Sequence, residues 1–85
     1  MQRDPAAVKA RTAPARPLSH DPARLRRRRI AAALTLAELA ERAGTSKSNL
    51  SELENGFHGP TPGLLGRLAA ALGCQTTDLM PDEAA

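Results

Sequence analysis

The sequence predicts an all-α fold, a compact five-helix bundle preceded by a disordered, positively charged arm. Three observations carry that expectation. Aromatic residues are nearly absent, with Phe57 alone, while Ala and Leu supply most of the apolar content, a mixture that favours helix over strand. The pattern of a polar cap, apolar residues at helical spacing and a Gly or Pro stop recurs along the chain. The length of 85 residues allows one domain with a small core, since about 60 ordered residues bury only about 60% of their unfolded surface.

The elements follow in order. Residues 1–20, "MQRDPAAVKARTAPARPLSH", are rich in Ala, Pro and Arg without periodicity and are expected to form the disordered arm, so the domain is placed at 21–80 with a frayed tail at 81–85. Helix one opens with Asp21 as cap and Pro22 at its first position and runs to Leu34, with Leu25, Ile30 and Ala33 as apolar contacts. In helix two, Thr35 and Glu38 make a capping box, Leu36, Leu39, Ala40 and Ala43 share one face, and Gly44 ends the run. Thr45 or Ser46 caps helix three, whose Leu50 and Leu53 face inward before Asn55-Gly56. Thr61 and Pro62 start helix four, with Leu65, Leu68, Ala69 and Leu72 on one face before Gly73. A short fifth helix containing Leu79 is expected before Pro81.

Charge is unevenly distributed. Residues 1–30 hold nine Arg and Lys against two Asp, net +7, whereas residues 31–85 hold three against seven, net −4. A polyanion suits the basic end, and nucleic acid, a membrane surface and an acidic protein all qualify. The single cysteine, Cys74, cannot form an internal disulfide, which suits a reducing cytoplasm. No membrane span or secretory signal is visible, and Pro5, Pro14 and Pro17 oppose an amphipathic transit peptide. Cys74, His20 and His58 are too scattered for a metal site, no nucleophile is paired with a base, and no cofactor is implied, so an enzyme is not expected. Cys74 reads as a packing residue, and Leu79 and Met80 as core or dimer surface.

The run "LTLAELAERAGTSKSNLSELENG" followed by "PTPGLLGRLAAALG" resembles the lambda-repressor-like helix-turn-helix domain of phage repressors and Cro proteins, the Xre family, over about residues 22–80. The resemblance implies a sequence-specific regulator of transcription on double-stranded DNA, a repressor by default. It would act as a homodimer on a pseudo-palindromic operator, in the cytoplasm at the nucleoid. The major groove, about 12 Å wide, admits one helix, and polar positions early in helix three (residues 46–54) would face the bases. Helical geometry and the family's base-contacting positions select the same residues, Ser46, Lys47, Ser48 and Glu52. Lys47 suits guanine O6/N7, and Glu52 suits a cytosine amine.

Backbone contacts are expected from Thr35, Thr45, Asn55, His58, Arg26 and Arg28. In the family, the glutamate matching Glu54 pairs with an arginine matching Arg29, so Glu54 is expected to be structural. The chain departs from the pattern twice: Leu36 stands where a phosphate-binding Gln is common, and the loop "NGFHGP" lacks the usual Lys or Arg. Arginines at a helix start oppose its macrodipole, and phosphate would give the 24–29 run a purpose. Two alternatives remain at this stage: an antitoxin-like role beside a protein partner, and a protein-interaction module that docks through the basic arm.

Overall fold

A computed structural model describes residues 19–82; most of the expected arm and residues 83–85 lie outside the described residues. Within them the chain forms four α-helices, α1 (Pro22–Ala31), α2 (Leu36–Ala43), α3 (Lys47–Glu54) and α4 (Pro62–Leu72), and no strand. The expected fifth helix is a single 3-10 turn, Thr76–Leu79. Only seven residues separate Gly73 from Pro81, too few to repay helix nucleation, so the segment settles for the tighter turn. Leu79 nonetheless anchors it in the core, and the Asp21 N–H donates to the Leu79 carbonyl at 2.7 Å, tying the start of the domain to its end.

Each helix starts on a side-chain cap. Asp21 accepts from the N–H groups of Ala23 and Arg24, Thr35 from Glu38, Ser46 from Asn49, and Thr61 from Leu64. The helix ends share a second device, the Schellman motif, with a left-handed residue after the last turn. Gly44, Gly56 and Gly73 fill three of those positions, but Ala33, at φ 59°, fills the one after α1. There the Leu34 N–H donates to the Arg29 carbonyl at 3.2 Å and the Ala33 N–H to Ile30 at 2.9 Å.

That turn corrects two expectations. Helix one stops at Ala31, not Leu34, and Ile30 points outward at 56% exposure, with Ala33 also exposed. Leu34 turns into the core instead. The core is otherwise an aliphatic cluster of Leu25, Leu39, Ala40, Ala43, Leu50, Leu53, Leu64, Leu65, Leu68, Ala69 and Leu79, with Leu36, Leu72, Cys74 and Met80 partly buried against it. Burial pushes the Cys74 thiol above its ordinary pKa, which keeps it protonated beside that core. Helix α4 packs chiefly on α2, α2 on α3, and α3 on α1, so α3 is held from behind by the leucine and alanine of two neighbouring helices.

Candidate nucleic-acid interface

Helix α3 is short, and what fixes it in place is as informative as what it exposes. At about 100° per residue, Leu50 and Leu53 define its buried side, and Ser48, Ser51, Glu52 and Asn55 fall on the opposite side with Lys47 at its flank. Lys47, Ser48 and Glu52 are exposed. Ser46 is the N-cap, its Oγ accepting from Asn49 at 3.0 Å, which leaves the N–H groups of Lys47 and Ser48 without an acceptor among the described residues.

The two glutamates of α3 have different surroundings. Glu54 is only 6% exposed and meets Arg29, 13% exposed, in a bidentate pair: Arg29 Nε donates to Oε2 at 2.7 Å and Nη2 to Oε1 at 3.0 Å. The third guanidinium nitrogen, Nη1, donates to the Leu34 carbonyl at 2.9 Å, so one arginine joins α1, the turn after it and the end of α3. Hydrogen bonding and charge from Glu54 hold the Arg29 pKa above its already high value despite burial. Glu52 is half exposed, and its Oε1 lies 2.9 Å from Nε2 of His58 in the following loop.

Three further clamps on α3 and the turn before it were not among the sequence expectations. Arg67 of α4 donates from Nε to the Ala43 carbonyl at 2.7 Å, closing the end of α2 at the turn into α3. Asn49 Nδ2 donates to Thr45 Oγ1 at 2.9 Å across the turn. His20, placed by its composition in the arm, is fully buried and its Nε2 donates to the Leu53 carbonyl at 2.8 Å. Its position just before the Asp21 cap, matched to Leu25 at the fourth helical residue, is where a hydrophobic staple sits, and that is the signal that was available. Gly59 lets the segment pass, since a Cβ there would lie 3.1 Å from Ser19 Oγ.

The expected backbone contacts divide. Arg26 is exposed, has no acidic partner among the described residues, and lies on the side of α1 nearer Arg29. Arg28 points elsewhere: its Nη2 is 3.5 Å from Asp78 Oδ1, on the side of α1 turned from Glu54. Thr35 is exposed, but its N–H donates to Glu38 Oε1 at 2.8 Å, so a carboxylate already occupies the start of α2. Those hydrogen bonds from Thr35 hold the Glu38 carboxyl below its ordinary pKa. Thr45 is half-buried and engaged by Asn49, and Asn55 Nδ2 donates to the Ser51 carbonyl at 2.8 Å. Among the described residues no group of His, Cys, Asp or Glu is placed to hold a metal ion, and no helix is long and apolar enough to cross a membrane.

A family model described as a helix-turn-helix domain matches residues 23–81. The competence pilus inhibition repressor of Acinetobacter baylyi is 44% identical over 45 residues, covering 53% of this chain and 41% of that protein. The clp gene regulator ClgR of Corynebacterium glutamicum superposes with a TM-score of 0.65 at 40% identity, over 67% of this chain and 61% of that one. The biofilm regulator SinR, solved in complex with DNA, matches at a TM-score of 0.63 and 32% identity, over 66% of this chain and 90% of that one. The same helical unit also forms part of hydroxypropylphosphonic acid epoxidase from S. wedmorenis, at a TM-score of 0.66 and 33% identity over 71% of this chain and 32% of that one. This chain spans less than two thirds of the competence repressor and of the ClgR chain. With most of its length inside the family model, and with α2, a tight turn and α3 arranged as described, the chain belongs to the helix-turn-helix family of the Xre type.

Proposed function

We propose that this chain is a sequence-specific double-stranded DNA-binding regulator of transcription, a repressor acting in the cytoplasm as a homodimer rather than an enzyme, with α3 inserted in the major groove. The observation that carries the reading is the division of α3 into a locked back and an open front. Arg29, His20, Asn49 and Arg67 fix the helix and its turn, while Lys47, Ser48 and Glu52 stand in solvent with polar atoms to spare. A rigid helix with unsatisfied donors and acceptors at its front is what base-edge recognition needs.

In this scheme Lys47 donates to guanine O6/N7, and Ser46 and Ser48 reach bases or nearby phosphates. Glu52 keeps Oε2 for a cytosine amine while Oε1 holds His58, which positions the imidazole beside the backbone of the same groove. The open N–H groups at the start of α3 add a site for phosphate. Arg26 is the arginine of α1 best placed to approach the duplex, whereas Arg28 leaves the set because it faces Asp78. The full chain is net +3 with its cations concentrated in residues 1–30, so attraction to DNA comes more from the placement of free cations than from the total charge. A repressor of this kind acts by occupying the operator.

In vitro selection from random duplex DNA with the full chain tests the reading. An enriched motif with two half-sites about one DNA turn apart is expected. Binding should also weaken steeply between low and physiological salt, in proportion to the phosphates neutralised. Selection that enriches no motif sinks sequence-specific recognition and leaves the protein-interaction module as the better reading.

A further inference from the structure

Helix α1 carries five arginines, and helical geometry splits them between two sides. Arg29 leans on Glu54. Arg24, Arg27 and Arg28, with Ala31, lie on a side rotated by about 150° from Arg29 and line an open groove of about 410 Å³ whose other wall is Asp78. The groove therefore sits behind α1, away from α3.

Carboxylates already mark what this groove accepts. Arg28 faces Asp78 at 3.5 Å, and Arg24 lies between Asp21, at 3.6 Å, and Asp82, which it contacts directly. Asp82 is itself 85% exposed, so its carboxylate rests on the arginine from solvent and nothing buries it there. Arg27 is exposed and has no acidic partner among the described residues. The three guanidinium groups repel one another across i, i+3 and i+4 spacings, and Arg24 in the first turn opposes the helix dipole while Arg28 in the last turn complements it, so Arg27 is the one with neither a carboxylate among the described residues nor a helix end to favour it. Guanidinium forks match carboxylates in pairs, and a shallow groove between them fits an extended chain better than a compact ligand.

We propose that the groove formed by Arg24, Arg27, Arg28 and Asp78 is a docking site for an acidic, extended segment of a partner protein, with the Asp82 carboxylate as the internal group that it displaces. The inference does not depend on α3 reading DNA, because the groove lies on the other side of α1. Duplex DNA is the competing polyanion, and its phosphates would have to approach from the side turned away from α3.

The test measures fluorescence anisotropy of a labelled polyglutamate peptide against the full chain. Arg27→Glu is expected to weaken binding by about fivefold or more, while Arg42→Glu, the same charge change on the exposed side of α2, changes it by less than about twofold. Asp82→Ala is expected to tighten binding, since it removes the competing carboxylate from Arg24. Circular dichroism identifies any variant that fails to fold, and Arg27→Gln supplies the same direction of change without reversing charge. Equal losses for Arg27→Glu and Arg42→Glu, or no binding of the peptide at all, would overturn the proposal. It is also overturned if a duplex oligonucleotide displaces the peptide and Arg27→Glu weakens duplex and peptide alike.

Discussion

Glu52 and Glu54 are two residues apart on one short helix, yet about 200° of helical rotation separates them. Glu54 is nearly buried in a bidentate pair with Arg29, and Glu52 is half exposed against His58. The contrast shows why the charge of a short helix, summed over its residues, says little about the charge it presents at its exposed side. One negative charge is neutralised inside the fold, and the other is shared with a histidine at the surface. What remains at the front is a lysine, serines, open amides and one carboxylate oxygen.

The comparison breaks most visibly from the buried side. Glu54→Ala strands the Arg29 guanidinium in a nearly closed site, and a loss of about 3 kcal/mol is expected, enough to unfold much of so small a domain. Replacing both partners with Met should cost less than the two single changes added together, because no unpaired charge is left. Urea melts of the two single variants and the double variant measure this, and additive losses would show that the pair is not coupled.

A smaller gain is available at the turn that presents Leu34 to Arg29. Ala33 is left-handed, which costs a side chain about 1–2 kcal/mol, and part of that is returned by the greater entropy of Gly in the unfolded chain. Ala33→Gly is expected to stabilise the fold by about 0.5–1 kcal/mol without changing its DNA preference, as read by thermal melting and a binding assay. At the front of α3, His58→Ala should cost less than about 1 kcal/mol of stability, because both partners of the pair are half exposed. Its effect is expected in binding, where Glu52 loses the group that orients it.

The smallest effect concerns pH. The folded Glu38 carboxyl lies below its ordinary pKa because Thr35 donates to the ionised form. Its contribution is therefore complete above the ordinary carboxylate pKa and is lost as pH falls through the lower, folded value. Acid titration of Glu38→Gln beside the parent chain checks this, and the variant should show the shallower loss of stability over that range.

The local grammar of this fold was largely legible in the chain. Asp21, Thr35, Ser46 and Thr61 cap helices because a short polar side chain beside the first free N–H groups needs no distant partner. The end of α1 was not legible, since Ala33 adopts a conformation usually announced by Gly. Residues whose partners lie far along the chain were harder to place: His20 finds Leu53 and Arg67 finds Ala43 only once the bundle has closed. For the candidate site, helical spacing placed Ser48 and Glu52 on the exposed side with Lys47 at its flank, but it could not show that His58 would reach Glu52 or that Arg28 would turn to Asp78. Side-chain pairing across elements is set by tertiary approach, which no local pattern encodes.

The most direct measurement compares the affinity of the full chain for its selected duplex with its affinity for single-base variants of that duplex, for the parent protein, Lys47→Ala and Arg26→Ala. If the front of α3 chooses the sequence, Lys47→Ala relaxes the preference at one base pair by about 1–3 kcal/mol, while Arg26→Ala weakens every duplex by the same factor. Identical behaviour of the two variants would contradict the assignment of sequence choice to α3 and of backbone attraction to α1.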